Sequence, residues 1–552
     1  MSSRRGDQDQ SVGALSDLKE EIYGGFVVPS RPTMITTPNL LTKRRDRRPL
    51  FVGACTSHAF SVVCAICTIC GFIPGGPVAT AHPPTLAATS HPHPITADAY
   101  LGSLSCSAAN CHGDPHRTTV IGSAAQYFLD CDKHQLAGTV LYGERSRSIR
   151  DRLKLPHAAW ESRECLTCHA PAAIGATDPS TMVADGVSCE SCHGPARQWL
   201  SSHRSADWKR NEFWTSSRKS DAGFRNSKDL VTRANLCADC HVGNADQSVN
   251  HDMIAAGHPR LNFEFAACQA RMPLHWCQTD HRHHGEVPNA SQSAVRLTED
   301  ARNWVIGQLV TAEHELQILS AAARNSSATW PELSQYDCFA CHHDVSSPGW
   351  RQSRTAWNLQ PGEFQWGTWG LGLLADAQPR LSTVLNDEFV ADQNALRCLM
   401  KSMRADRSQA LTLADRQQQQ IRQVQAGLQS MEFSCDEVAG IRDALLQQSQ
   451  KFTNQGWDRS TQLFLAIVAL DNGGNAATGN PVDVARIESL VRLREWLSYR
   501  GGRPACKSFP YRESPVRFDA NRRTILEEFR RLQSPVDPGR EVPPEPVTLE
   551  ND

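Results

Sequence analysis

The sequence predicts a mainly α-helical protein in which a segment rich in cysteine and histidine is followed by a second helical segment. Three observations favour this fold class. Five units that combine two cysteines with one histidine lie between residues 106 and 342. Apolar residues recur at helical spacing between residues 383 and 533, and the cysteine-rich segment has no alternating strand pattern. A chain of 552 residues has room for two or three domains with buried cores.

The five units share one pattern, in which a histidine directly follows the second cysteine. Four of them have two residues between their cysteines: Cys165, Cys168 and His169; Cys189, Cys192 and His193; Cys237, Cys240 and His241; and Cys338, Cys341 and His342. The fifth, Cys106, Cys111 and His112, has four intervening residues. Cys-x-x-Cys-His is the attachment pattern of c-type haem, because two thiols about one helical turn apart add to the two vinyl groups of one porphyrin. The adjacent histidine then offers its imidazole to the iron as proximal ligand.

Chance and structural zinc explain this pattern poorly. With 20 cysteines and 21 histidines, random placement gives roughly 0.03 matches to Cys-x-x-Cys-His in this chain, yet four are present. A structural zinc site needs four ligands and gives no reason for a histidine after every second cysteine. The sequence therefore predicts five covalently attached haem c groups, each with one iron, within a domain of short helices and loops.

Two histidines are predicted as distal ligands because of where a helical pattern places them. His134 lies on the apolar stripe of a helix predicted over residues 124–142, where a core histidine without a ligand role is the alternative. His203 follows His193 by ten residues along a predicted helix through Trp199 and Leu200. A rigid helix cannot return His203 to the iron of His193, so His203 is expected to serve a neighbouring iron.

A third distal ligand is predicted at His258, which stands between Gly257 and Pro259. These neighbours remove bulk and a backbone donor beside it, as suits a backbone that lies against a flat macrocycle. Weaker candidates are His116, His251 and His314. Four more histidines crowd residues 275–284, which form either a metal site or an exposed polar loop: His275, His281, His283 and His284.

Residues 1–81 are predicted to form a basic N-terminus and a signal peptide. The apolar stretch from residue 50 to residue 73 is followed by small residues at Ala79 and Ala81, as is typical of a secretory signal cleaved after Ala81. An uncleaved membrane anchor is the alternative, because 24 residues can span a bilayer. Residues 82–99 form a linker rich in Pro, His and Thr. The sequence therefore predicts a periplasmic or otherwise exported protein, either free or anchored to the cytoplasmic membrane.

Helical patterns continue beyond the haem units. A long amphipathic helix is predicted from Thr298, its cap, to Arg324. Residues 100–345 are predicted as a pentahaem cytochrome c domain, 346–534 as an all-helical accessory domain and 535–552 as a disordered tail. In the accessory domain, Ser434 and Glu437 form a capping box that opens a helix. Two further helices are marked by apolar residues at helical spacing: Val484, Ile487 and Val491, then Ile525, Phe529 and Leu532.

Six cysteines lie outside both the haem units and the N-terminal apolar stretch. In an exported protein they could form disulfides, and buried free thiols are the alternative. They are Cys131, Cys268, Cys277, Cys398, Cys435 and Cys506.

The segment from about residue 100 to residue 345 resembles the multihaem cytochrome c family that includes the tetrahaem cytochrome c accepting electrons from hydroxylamine oxidation. The resemblance lies in YLGSLSCSAANCHG, DKHQLA, CLTCHA, GVSCESCHGPARQWLSSH and LCADCHVG. It implies closely stacked haems, a mostly helical fold, predominantly bis-histidine iron and electron transfer outside the cytoplasm. His134 and His203 match positions where such relatives place distal ligands. The chain departs from the family in its fifth unit and in its haem-free C-terminal third.

Two classes of function are compatible with this pattern. An electron carrier needs only haems in contact, whereas an oxidoreductase acting on a small nitrogen or sulfur compound needs one open iron. Multihaem nitrite reductases that resemble the family replace a proximal histidine with lysine, but all five units here keep histidine. The net charge of -2 gives no reason to expect a nucleic-acid partner. The sequence therefore favours an electron carrier between redox protein partners, with the oxidoreductase as the alternative.

Overall fold

The computed structural model describes residues 99–116, 119, 121–273, 290–342, 359, 362–382, 384–428, 431–471, 483–498 and 514–533. The predicted signal peptide or anchor (1–81), the linker before residue 99 and the tail (535–552) lie outside the described residues. The same holds for the histidine-rich stretch 275–284 and for Cys277 and Cys506.

Short helices separated by turns make up the described residues up to 273. They are α1 (Ala124–Cys131), α2 (Glu144–Leu153), α3 (Arg163–His169), α4 (Pro179–Asp185), α5 (Cys189–His193), α6 (Ala206–Arg210), α7 (Ser216–Asp221), α8 (Leu230–His241), α9 (His251–Ala256) and α10 (Phe265–Arg271). Side chains that accept backbone N–H groups begin several of them, such as Asp178 before α4 and Asp229 before α8.

Most of the helices that follow among the described residues are longer. They are α11 (Ala290–Arg324), α12 (Leu374–Ala377), α13 (Asp387–Met400), α14 (Arg407–Leu428), α15 (Cys435–Gln447), α16 (Ser449–Gln455), α17 (Trp457–Leu470), α18 (Val484–Leu497) and α19 (Ser514–Arg531). The described residues contain two isolated β-bridges and no strand. The predicted mainly α fold class is therefore confirmed.

The largest core surrounds α11 and α17. The 35-residue α11 packs against α8, α14 and α17, and it buries Trp304, Leu309 and Leu316 completely. All 14 residues of α17 are buried, polar ones included. A helix enclosed on every side lies at the centre of its core. Because the same apolar cluster includes Phe263 and Phe265, the haem-free helices share their core with the end of the cysteine-rich segment.

Two small apolar clusters support residues 100–228. One is centred on Leu141, Leu166 and Val183, and the other on Trp199 and Trp208. Clusters of this size bury far less apolar surface than the core around α17.

Two predicted helices near distal-ligand candidates are wrong. The predicted helix over residues 124–142 ends at Cys131, because Asp132 has extended backbone angles (φ -83°, ψ 120°). The Asp132 carboxylate then accepts the backbone N–H of His134 and begins a separate 3-10 turn, Lys133–Leu136. His203 likewise does not continue a helix from His193, since turns lead to a 3-10 helix over Ser202–Arg204.

The helices beyond the fourth unit agree better with the prediction. Ser434 and Glu437 form the predicted capping box before α15, and Ile525 and Phe529 are buried on α19 as predicted. The predicted helix α18 is present, but its buried face consists of Leu490, Leu493 and Leu497, while Val484 is exposed. The long helix α11 exists, but it begins at Ala290, so Thr298 is an interior residue whose hydroxyl donates to Val295 O. A threonine can bond to the preceding helical turn as easily as it caps one, which explains the misplaced start.

Cys131, Cys268, Cys398 and Cys435 are free thiols in the structure. Within the described ranges, no helix combines the length and the apolar character that crossing a bilayer requires.

Candidate haem-binding sites

Each cysteine unit occupies a short helical element, and we number the sites first to fifth in chain order. In the second, third and fourth sites the histidine is the last residue of its helix (α3, α5 and α8). One helical turn separates the two thiols, which places them on one side of the helix. The fifth site uses a 3-10 turn, Cys338–Ala340, in which the His342 N–H donates to Cys338 O at 2.8 Å.

The wider first site keeps the same relation between its first cysteine and its histidine. Despite two additional residues, the His112 N–H donates to Cys106 O at 3.2 Å. The extra length forms a tight turn in which the Cys111 N–H donates to Ala108 O at 2.8 Å. The first site therefore presents its thiols and imidazole from a closed loop comparable with that of the fifth.

Two carboxylates, one of them buried, attach the first site to the third. Glu190, inside the third unit, accepts the backbone N–H groups of Leu101, Gly102 and Ala196 at 2.7–3.1 Å. Asp185 accepts the backbone N–H of Ser103 at 2.8 Å. Burial raises the pKa of Glu190, although these N–H donors oppose the shift. The chain around Cys106 is thereby held against the chain around Cys189.

Four of the five unit histidines face a second histidine from a distant part of the chain. The ring centres of His112 and His203 are 6.3 Å apart, and those of His134 and His241 are 5.9 Å apart. The distances are 6.3 Å for His169 and His258 and 6.2 Å for His251 and His342. The rings are nearly parallel in the first and fifth sites (23° and 27°) and nearly perpendicular in the fourth and second (83° and 79°).

These separations fit an iron bound from both sides. A transition metal lies about 2 Å from an imidazole nitrogen, and that nitrogen lies about 1 Å from its ring centre. Two imidazoles that bind one ion from opposite sides therefore have centres roughly 6 Å apart. The four pairs have this spacing, whereas stacked rings in direct contact can approach to about 4.5 Å. The residues thus fit haem iron with two histidine ligands.

Hydrogen bonds at Nδ1 orient the rings for metal binding. Carbonyl oxygens accept from Nδ1 of His112, His169 and His258 at 2.8–2.9 Å, and Leu200 O accepts from Nδ1 of His203. For His134 the acceptor is the carboxylate of Asp132, whose Oδ1 lies 2.9 Å from His134 Nδ1. A histidine that donates from Nδ1 leaves Nε2 with a lone pair for a metal. His193 is placed by Ser227, whose Oγ lies 3.4 Å from its Nδ1.

Burial favours the neutral form of the rings. It lowers the pKa of His169, His203 and His258, and with the neighbouring His134 and His169 it lowers the pKa of His241 to about 4. Neutral imidazole is the form that binds metals.

Thiols from different sites touch each other. A hydrogen bond joins the side chains of Cys106 and Cys189 and lowers the pKa of Cys106 to about 6. A second joins Cys168 to Cys240. Burial and the nearby Cys192 thiol both raise the pKa of Cys237, so Cys192 of the third site lies close to Cys237 of the fourth. The attachment points therefore place the first site beside the third, the third beside the fourth and the fourth beside the second.

His251 is more important in this geometry than the sequence indicated. It begins α9, its backbone N–H donates to Glu332 Oε1 at 2.8 Å, and its ring faces His342. His314 is the opposite case: its ring nitrogens lie 2.7 Å from Gly243 O and 3.0 Å from Asn235 Oδ1. Because both nitrogens of His314 are engaged, it is a buried structural residue and not an iron ligand.

Gly186 controls the position of His134. It has a positive φ of +67°, and an added Cβ would lie 2.7 Å from His134 O and 2.6 Å from Gln135 O. Gly186→Ala should therefore push the His134 turn away from His241 and add strain, at a cost of about 1–3 kcal/mol in stability. We expect a high-spin signal from the iron of the fourth site, measured by absorption and EPR spectra, together with a lower unfolding midpoint.

Gly175 provides a matched control, since it has φ +74° and an added Cβ there would meet nothing within 4 Å. Gly175→Ala should cost backbone strain alone and leave the spectrum unchanged. Equal effects of the two substitutions would show that contact with the His134 turn is unimportant.

Comparison with known proteins agrees with this chemistry. Residues 105–194, which contain the first three sites, match the family model described as cytochrome c554 and c-prime. No curated protein and no solved structure matches the chain. The match and the cysteine units together support a c-type cytochrome of the multihaem kind, which binds haem c covalently and takes part in electron transfer.

Proposed function

We propose that the chain is an exported electron carrier with five covalent haems, which passes single electrons between redox protein partners. The observation that carries this proposal is the set of four histidine pairs with ring centres 5.9–6.3 Å apart. Haem iron gains and loses single electrons when it is bound. Histidines on both sides of an iron leave no position for a substrate, yet they do not prevent electron exchange through the porphyrin edge.

The contacts between sites suggest the order in which an electron passes from site to site. The thiol contacts join first to third and second to fourth, and the proximity of Cys192 to Cys237 joins third to fourth. His251 and His258 belong to one short segment and serve the fifth and second sites. The proposed order is thus first, third, fourth, second and fifth. Contact between neighbours keeps each transfer short.

The experiment uses the purified holoprotein. Small redox mediators should reduce and reoxidise all of its haem rapidly. Cyanide, nitric oxide and hydroxylamine should bind weakly to the irons of the first, second, fourth and fifth sites, because paired histidines compete for these irons. Stoichiometric high-spin iron at any of these four sites in the resting protein, with turnover of hydroxylamine, nitrite or tetrathionate, would instead favour the oxidoreductase.

A further inference from the structure

One stretch of chain, residues 251–264, reaches three of the haem sites, and we call it the ligand segment. Its first residue, His251, faces His342 of the fifth site. Its centre, His258, faces His169 of the second site. The ring of Phe263 stacks on His241 of the fourth site, with ring centres 5.3 Å apart and planes at 22°. The position of this segment therefore affects the iron ligands of three sites at once.

A buried ion pair connects the ligand segment to α17, one of the helices that follow the fifth cysteine unit. The Arg260 guanidinium donates two hydrogen bonds, of 2.9 and 3.0 Å, to the carboxylate of Asp458 on α17. The side chains of Arg260 and Asp458 are only 8% and 4% exposed. Thr368 Oγ1 donates a further hydrogen bond to Asp458. A bidentate pair of this kind fixes the direction of both side chains as well as their distance.

A second contact acts a few residues further on. Trp369 Nε1 donates to the carbonyl oxygen of Phe263 at 2.9 Å, and the Trp369 ring stacks on Trp457 at the start of α17. The ring centres of the two tryptophans are 5.7 Å apart. Since every residue of α17 is buried, this helix is a rigid support for both contacts.

We propose that Asp458 is a positioning residue: through Arg260 it holds the ligand segment so that His258 and His251 meet the irons of the second and fifth sites. The helices that follow the fifth unit would then help to position iron ligands. This positioning role rests on the proposed assignment of His258 and His251 as ligands. Removing Asp458 leaves Arg260 without its ion-pair partner, so Arg260 shifts towards water or another anion. The buried carboxyl group of Glu315, whose pKa the Arg260 charge lowers, is one such group. Arg260 lies two residues from His258, and its movement therefore displaces that ring.

Asp458→Asn in the holoprotein tests this role, with spin state and midpoint potentials as readouts. We expect up to one iron per chain to become high spin, with new cyanide binding at that iron and a shifted potential at the second site. Thr368→Val, which removes one hydrogen bond but keeps the ion pair, should give a smaller change in the same direction. Asp458→Glu, which keeps the charge, should restore part of the low-spin signal.

The matched control is Asp471→Asn. Asp471 directly follows the last residue of α17, is also buried and is paired with Arg486 near the start of α18. Asp471→Asn should lower the unfolding midpoint and leave the spin state unchanged. An unchanged spin state and potential in both Asp458→Asn and Thr368→Val, or equal spin changes in Asp471→Asn and Asp458→Asn, would overturn the proposal.

His258→Ala separates this inference from the function on which it rests. If His258→Ala makes one iron high spin and Asp458→Asn does not, the positioning role fails and the ligand assignment stands. If His258→Ala leaves the spin state unchanged, the ligand assignment itself is wrong, and the positioning role falls with it.

Discussion

Replacing both Cys338 and Cys341 with serine should remove one covalent haem from the protein. The two thiols lie on one short turn directly before His342, whose ring faces His251. Serine has nearly the same size but cannot form the thioether bonds that hold haem c. Intact mass under denaturing conditions should fall by the mass of one haem, and haem absorbance per chain should fall by about one fifth, since five units are present.

Cys398 and Cys435 provide the control for this experiment, because they are free thiols outside the haem units. Serine at these two positions should leave the mass of attached haem unchanged. A wild-type protein that carries four haems, with no further loss in the Cys338 and Cys341 variant, would restrict haem binding to the other units. The fifth site is the sharpest place for this test, because it lies outside the residues 105–194 that match a known family.

His203→Ala should convert one iron from low spin to high spin. The His203 ring lies opposite His112 at 6.3 Å, and its Nδ1 donates to Leu200 O, so its Nε2 is directed away from the backbone. Alanine removes the sixth ligand of the first site and opens that iron to water or cyanide. EPR and absorption spectra should show one high-spin iron per chain, and added imidazole should restore the low-spin form.

His314→Ala distinguishes the loss of a ligand from the loss of a buried histidine. His314 is 2% exposed, and both of its ring nitrogens are hydrogen-bonded within the protein. Its removal should cost about 1–3 kcal/mol in stability, because buried partners lose their hydrogen bonds. No iron should become high spin. If His203→Ala behaves in the same way, then His203 is a packing residue against Trp199, with which its ring also makes contact.

The short helical turns that carry the cysteine units were predictable from sequence, because each unit spans only five to seven residues. The same is true of the capping box at Ser434 and of α19, where local periodicity decides which face is buried. In α18 the helix was predicted but its buried face was not, since Val484 is exposed and Leu490 and Leu493 are buried. His134, His203 and His258 were selected for reasons that the structure only partly shares. His134 and His203 lie on 3-10 turns and not on the predicted helices, and the hydrogen bonds of Asp132 and of Leu200 O orient them.

The pairing of the histidines could not be predicted from sequence, because each pair joins elements that are far apart along the chain. His251 illustrates the difficulty. Its distance from a unit histidine depends on Glu332, Arg260 and the packing of α17, and none of these contacts has a local signal. One clue to His251 was available in the sequence. Asn250 is a good helix cap, so it predicts that His251 begins a helix shortly before the candidate ligand His258. His314, a weak candidate that lies roughly opposite the apolar stripe of its helix, is buried, because α8 and Gly243 pack against that side of the helix.

The angles between the paired rings have a consequence for the electronic structure of the irons. The π electrons of an imidazole lie above and below its ring plane. The orientation of that plane therefore decides which of the two iron d orbitals of π symmetry receives electron density from the ring. Nearly parallel rings, as at the first and fifth sites (23° and 27°), act on the same orbital and separate the two orbitals in energy. Nearly perpendicular rings, as at the fourth and second sites (83° and 79°), act on different orbitals and leave them almost degenerate. The two ends of the proposed order therefore share one pattern of magnetic anisotropy, and two of the irons between them share another.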